Sequence, residues 1–309
     1  MLTRQTYEGC LLGLALGDAF GAPHEGGPLE RWVWRLIGTT RRGERRFTDD
    51  TQMSLDVAES LLACGGVDPD DLARRFAEGY RWSRGYGPGA ARLLKRIAGG
   101  ATWQAANRSV YPDGSFGNGG AMRAPVIGLF FADRPEALVE AARVSARVTH
   151  AHPLGEAGAV LIATATARVA LGARDVAVVE AAAATCDLEP YETRLALARD
   201  WLASGTATAP PTPDAVRQRL GNGISAPASC VTALYCALRF LDAPFPELLA
   251  FVAALRGDVD TIGAMAGGIW GAANGAAGLP ESLLSRLEQR ERLASVAARL
   301  HAVCAARGA

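Results

Sequence analysis

The sequence predicts an all-α fold on three observations. Apolar residues recur at helical spacing along most of the chain, no convincing run of strand-like alternation interrupts them, and glycine- or proline-rich segments separate one helical stretch from the next.

Length and composition narrow the reading further. The 309 residues show no break in composition, which predicts one domain over residues 1–309. Formal net charge is zero, and the arginines are scattered rather than gathered into a run, with Lys95 the one lysine. Nothing in that pattern calls for nucleic acid. Six cysteines (Cys10, Cys64, Cys186, Cys230, Cys236 and Cys304) include no C-x-x-C pair, which fits a reducing, cytoplasmic compartment. The apolar run from Cys10 to Ala22 is interrupted by Asp18 and glycines, so it reads as neither signal sequence nor membrane span. A soluble monomer is the expectation.

In chain order, the first helix carries Gly9, Gly13, Gly17 and Gly21, one every four residues. Glycine inside a helix costs about 1 kcal/mol relative to alanine, so such a stripe needs a compensating contact. Gly263, Gly267, Gly271 and Gly275 repeat the spacing, which predicts two buried helices packed closely along facing rows. The loop Gly21 to Gly27 follows the first stripe and can place Glu25 at a cleft.

Helices are predicted over 53–64, 70–82 and 89–98, the last two joined by Arg84-Gly-Tyr-Gly-Pro-Gly89. That joint is either a tight turn or a place where a ligand phosphate meets backbone N–H groups. In Ser115-Phe-Gly-Asn-Gly-Gly-Ala-Met-Arg123, glycines expose N–H groups beside the flat face of Phe116, a combination suited to a phosphate and a stacked base. This loop enters a helix carrying Pro125 near its start, where proline is tolerated.

Helices over 136–148 and 153–171 flank Thr149-His150-Ala151-His152, a poor zinc signature without nearby cysteine. Helices run on through 175–203 until Thr206 to Pro213 breaks them as a surface loop. Leu220-Gly-Asn-Gly-Ile224 turns into a helix over 226–241; helices over 246–256 and 281–303 complete the reading.

Two acidic turns carry the chemistry. Thr48-Asp49-Asp50-Thr51-Gln52 fronts one amphipathic run, and Gly257-Asp258-Val259-Asp260-Thr261 fronts the second glycine stripe. Either alone reads as a helix cap with acidic residues in its first turn. Facing each other, they would gather Asp49, Asp50, Asp258, Asp260, Thr48 and Thr261, the hard oxygen ligands that Mg²⁺ and Mn²⁺ take. Four such carboxylates could not all stay ionised uncompensated, so a site for two divalent ions is predicted.

Together these motifs resemble the ADP-ribosylglycohydrolase family, which includes dinitrogenase-reductase-activating glycohydrolases and ADP-ribosyl-acceptor hydrolases. The resemblance runs through Gly9 to Gly27, Phe47-Thr-Asp-Asp-Thr-Gln52, Gly117-Asn-Gly-Gly-Ala-Met-Arg123, Thr149-His150, Leu220-Gly-Asn-Gly-Ile224, and Gly257-Asp-Val-Asp-Thr261 through Gly275. Within the family, the loops at 84–89, 115–120 and 220–224 look most like the branch acting on serine-linked ADP-ribose, poly(ADP-ribose) and O-acetyl-ADP-ribose.

The resemblance implies a compact orthogonal helical bundle in which Thr48, Asp49, Asp50, Asp258, Asp260 and Thr261 hold two Mg²⁺ or Mn²⁺ ions. It implies that Glu25 is the movable acid that positions or deprotonates water. Ser115, Phe116, Gly117, Asn118 and Gly119 would cradle the diphosphate and flank the adenosine, with help from Gly85, and His150 would contact the distal ribose. The implied partners are ADP-ribose and ADP-ribosylated proteins. Phe116 stands where close relatives carry tyrosine, and His152-Pro153 also departs from the family pattern. The alternatives are an arginine-linked substrate, another two-metal hydrolase such as a phosphoesterase, and a non-catalytic ADP-ribose-binding or structural protein on the same scaffold.

Overall fold

A computed structural model of the protein describes residues 2–25, 27–204 and 209–307. Thr3 caps α1 (Arg4–Gly21), its side chain accepting from the Thr6 amide. A single 3-10 turn at Ala22–His24 leads to α2 (Pro28–Ile37). Thr48 caps α3 (Asp49–Cys64), which stops where Gly65 takes φ 72°. Asp68 caps α4 (Pro69–Gly79) through two amides, α5 (Pro88–Ala98) follows, and Thr102 caps α6 (Trp103–Val110).

Next come α7 (Ala124–Phe130), α8 (Pro135–Arg147), α9 (Pro153–Ala170), α10 (Asp175–Ala183) and α11 (Glu189–Ala203). The chain finishes with α12 (Pro213–Arg219), α13 (Ala226–Arg239), α14 (Phe245–Leu255), α15 (Val259–Asn274), α16 (Glu281–Leu284) and α17 (Arg290–Arg307). Proline stands in the first turn of many of these, as at Pro88, Pro125 and Pro153, where its missing N–H would have had no helical partner. Among the described residues there are isolated β-bridges and no strands, so the all-α expectation holds. No helix among them is long and apolar enough to cross a membrane.

The matched glycine stripes form the centre. A side-chain carbon added at Gly9, Gly13 or Gly17 would overlap the carbonyl of Gly271, Gly267 or Gly263 respectively, and the reverse substitutions collide equally. The backbones of α1 and α15 therefore touch along their length, antiparallel, with no side chain between them. Removing every Cβ from the seam regains in packing what glycine loses in helix propensity. At the end of the seam, Gly21 lies against the backbone of Val259 and Asp260, so the second acidic turn is mounted on this buried helix pair. Every residue of α15 from Val259 to Ala272 is buried.

Some boundaries differ from the sequence expectation. The helix expected over 281–303 is split into α16 and α17, with Gln289 at φ 55° just ahead of the second piece. The stretch 175–203 breaks at 184–188, and α2, α6 and α12 were not anticipated. Of the loop expected at Thr206 to Pro213, residues 206–208 lie outside the described residues, and Pro213 already opens α12.

Candidate active site

The two acidic turns meet at the ends of α3 and α15. Thr261 Oγ1 donates to Asp50 Oδ1 at 3.2 Å, while Thr48 Oγ1 donates to Asp50 Oδ2 at 3.1 Å. Asp260 Oδ1 accepts from the Thr261 amide at 2.8 Å. Glu25, from the loop after α1, brings its carboxylate to Asp258 and Asp260, with one oxygen of each within 4.8 Å of the others.

Residues that the sequence reading did not select hold this arrangement in place. Asp18 on α1 is fully buried; it accepts from the Thr48 amide at 3.0 Å, the Thr51 amide at 3.1 Å and Thr51 Oγ1 at 2.5 Å. One carboxylate thus pins the first turn of α3 to the glycine helix. Its signal was present in the sequence as the lone charge in an apolar glycine run.

A second anchor has no local signal. Glu288 accepts from the Phe47 amide at 2.7 Å and forms a buried ion pair with Arg84, which donates to the Phe47 carbonyl at 2.6 Å and stacks on the Phe47 ring. This sets Gly85, at φ 85°, against the first acidic turn, where an added Cβ would lie 3.8 Å from Asp49 Oδ1.

Burial pushes the carboxyl pKa of Asp49, Asp50, Asp258 and Asp260 above the ordinary range. Asp18 adds to the rise at Asp49 and Asp50, and Glu25 to that at Asp260. Asp18 itself is raised to about 6 by burial, against the pull of its hydrogen bonds from Thr51 and Thr48. Among the described residues, none of these five aspartates pairs with a lysine or arginine. Five crowded, desolvated aspartates with no lysine or arginine partner among the described residues suit a divalent cation of the Mg²⁺ type.

The glycine loop abuts this cluster. The Asn118 amide donates to the Ile224 carbonyl and the Ala226 amide to the Phe116 carbonyl, both at 2.9 Å, lashing the loop to the turn before α13. Asn118, one of the residues expected to line the substrate cradle, has a buried side chain that donates to Asp258 Oδ2 at 2.5 Å and to Ser229 Oγ at 3.0 Å. Its backbone stays in the loop, and its amide group orients a carboxylate of the acidic cluster.

Ser115 Oγ accepts from the Gly117 amide at 3.3 Å. Phe116 is 52% exposed and meets His152 edge-on. His150 lies under the loop: Cβ atoms added at Gly117 and Gly119 would stand 3.2 and 2.9 Å from its Nε2. Burial, with Arg123 nearby, lowers its pKa to about 3 and keeps it neutral. The structure therefore brings Thr48, Asp49, Asp50, Asp258, Asp260, Thr261, Glu25 and Gly85 to one point, with Ser115 to Gly119 and His150 joined to it through Asn118.

A family model described as ADP-ribosylglycohydrolase matches residues 2–309. The chain belongs to the ADP-ribosylglycohydrolase family. It is 32% identical over 343 residues to the ADP-ribosylhydrolase ARH3 of Homo sapiens, covering 96% of this chain and 93% of that protein. It is also 31% identical over 313 residues to an uncharacterised protein of Archaeoglobus fulgidus, covering 96% of each. Among solved structures it resembles one titled "ADP-ribosylglycohydrolase-related protein complex", with TM-score 0.71 and 28% identity, covering 97% of this chain and 99% of that one. As an ADP-ribosylglycohydrolase the chain is an enzyme, a hydrolase of ADP-ribose linkages. Its acidic cluster could hold a metal ion.

Proposed function

We propose that this ADP-ribosylglycohydrolase, acting as a single domain, releases ADP-ribose from serine-linked ADP-ribosylated protein, poly(ADP-ribose) or O-acetyl-ADP-ribose by hydrolysis at C1 of the distal ribose. The observation that carries the reading is the contact of Thr261 with Asp50, which joins the two acidic turns into one oxygen-rich centre beside the glycine loop. Thr48, Asp49, Asp50, Asp258, Asp260 and Thr261 would hold two Mg²⁺ or Mn²⁺ ions. When bound, such ions balance the carboxylate charge, fix ribose hydroxyls and make water more acidic.

The remaining work falls to the chain itself. Glu25 takes a proton from the attacking water as general base. The water oxygen bonds to C1, the C1 to acceptor-oxygen bond breaks, and its electron pair stays on the acceptor oxygen, which takes up a proton. The transition state is oxocarbenium-like, as in other glycoside hydrolysis. Amides of Gly117 and Gly119 and the Ser115 hydroxyl meet the diphosphate, Phe116 stacks on the adenine, and Gly85 leaves room beside Asp49. His150 contacts the distal ribose, and Asn118 orients Asp258.

The serine preference rests on the likeness of the loops at 84–89, 115–120 and 220–224 to that branch of the family. Its test is a panel of serine-linked, arginine-linked and polymeric ADP-ribose substrates assayed with saturating Mg²⁺. Fastest release from the serine linkage is expected; fastest release from the arginine linkage would reverse the assignment.

A further inference from the structure

Arg123, at the entry to α7, is fully buried at 0% exposure, and its guanidinium lies over the Phe76 ring at 4.6 Å. Nη1 donates to the Gly119 carbonyl at 2.7 Å; Nη2 donates to the Ser145 carbonyl at 2.7 Å and to Thr149 Oγ1 at 2.9 Å. Among the described residues Arg123 forms no ion pair. Burying a cation with only neutral acceptors costs stability that an apolar side chain would not. What arginine adds is a rigid fork of donors tying the glycine loop, the end of α8 and Thr149 into one body.

That fork also decides a proton's position. A guanidinium offers donors only, so Thr149 Oγ1 accepts from it. The same oxygen stands 2.7 Å from His150 Nδ1. Among the described residues the Thr149 hydroxyl has one hydrogen-bond acceptor, that Nδ1. A proton on Nδ1 would strand the buried hydroxyl hydrogen and aim a second positive edge at an oxygen already facing the guanidinium. Burial keeps the ring from taking a second proton, and Arg123 adds to that effect.

We infer that Arg123 and Thr149 are positioning residues that lock His150 as the neutral tautomer protonated on Nε2, presenting a hydrogen-bond donor beneath the Ser115 to Gly119 loop. A Cβ added at Gly117 would stand 3.2 Å from Nε2, and one at Gly119 would meet the Cε1–Nε2 edge at 2.5 and 2.9 Å, so the donor sits against the loop backbone. The chain thereby offers the loop's ligand an N–H that does not depend on pH near neutrality. The tautomer assignment stands on these contacts alone; its use in holding ribose rests on the proposed function.

The test is ¹⁵N NMR of the histidine ring nitrogens at pH 7 in ligand-free protein. The chain has 4 histidines, so His150→Gln is needed to assign the His150 signals by their loss. The wild type is expected to show His150 wholly as the Nε2-protonated form, with an Nδ1 shift typical of an accepted hydrogen bond. Thr149→Val keeps the side chain's shape and removes the donor, so the Nδ1 shift should move to that of an unbonded nitrogen, and Thr149→Ser should restore it. Arg123→Met should let Nδ1-protonated His150 appear. A wild-type ring protonated on Nδ1, or an Nδ1 shift unchanged in Thr149→Val, overturns the inference; if the valine variant fails to fold, the wild-type spectrum decides. Failure of the folded wild type to bind ADP-ribose would instead count against the proposed function, since the spectra involve no ligand.

Discussion

Thr261 donates its hydroxyl hydrogen to Asp50 at 3.2 Å across 211 positions of sequence. Because each residue lies in the first turn of its helix, the contact fixes the fronts of α3 and α15 to one another. The dipoles of both helix fronts then favour the anionic cluster between them, and first-turn amides at Thr51 and Thr261 already donate to its carboxylates. The contact also makes the acidic centre depend on the central seam, since α15 is held by the glycine face of α1.

Binding and chemistry should separate by residue. Asp260→Asn replaces a charged ligand with a neutral amide, so Mg²⁺ affinity and ADP-ribose affinity should fall together. Glu25→Gln keeps the side chain's size but cannot accept a proton, and turnover should drop about 100-fold or more. Calorimetry with ADP-ribose in saturating Mg²⁺ should show the second variant binding nearly as the wild type does. Near-normal turnover by Glu25→Gln would remove it as the base.

The seam predicts a steep cost for side chains. Gly13→Leu or Gly267→Leu places carbon on backbone carbonyls that cannot give way as a flexible side chain would. Destabilisation of about 3 kcal/mol or more is expected, at the upper end for over-packed cores. Urea unfolding of the variants measures it, and unchanged midpoints would contradict the close approach of α1 and α15.

Folding stability without metal should fall as pH rises. Asp18 is raised to about 6 by burial, and Asp56, outside the acidic cluster, is raised to about 7, also by burial. An aspartate titrates near 4 in the unfolded chain, so these groups hold protons more tightly when folded. Their contribution is therefore fully present below about 4 and is lost as pH climbs through about 6 to 7. The raised Asp49, Asp50 and Asp260 act in the same direction, whereas buried His150, lowered to about 3, opposes them below about 6.5, one imidazole against five carboxyls. In EDTA the urea midpoint should be higher at pH 5 than at pH 7.5, with saturating Mg²⁺ reversing the loss at pH 7.5. A midpoint in EDTA that rises over this interval would contradict the description.

What the sequence displays is whatever repeats or clusters locally. The four-residue glycine spacing announces close helices because few other contacts would justify the lost helix propensity. The turns at Thr48 to Asp50 and Asp258 to Thr261 announce themselves only as a pair, since either alone reads as a helix cap with acidic residues in its first turn. Long-range partners leave no such mark: Arg84 and Glu288 lie 204 positions apart, and each alone looks like an ordinary surface charge. Asn118 is legible as part of a glycine loop, but the direction of its amide depends on Asp258 arriving from 140 positions away. The break before α17 rests on the backbone turn at Gln289, a residue type with no strong turn preference.

The most direct test of the central claim is ADP-ribose release by the purified protein after exhaustive metal stripping, then with Mg²⁺ or Mn²⁺ restored, on a serine-linked ADP-ribosyl peptide. Loss of release on stripping and recovery on adding back either ion is the predicted result, with the recovery absent in Asp260→Asn at the same metal concentration. Undiminished release from the fully stripped enzyme would contradict a catalytic centre built from the two acidic turns around divalent metal.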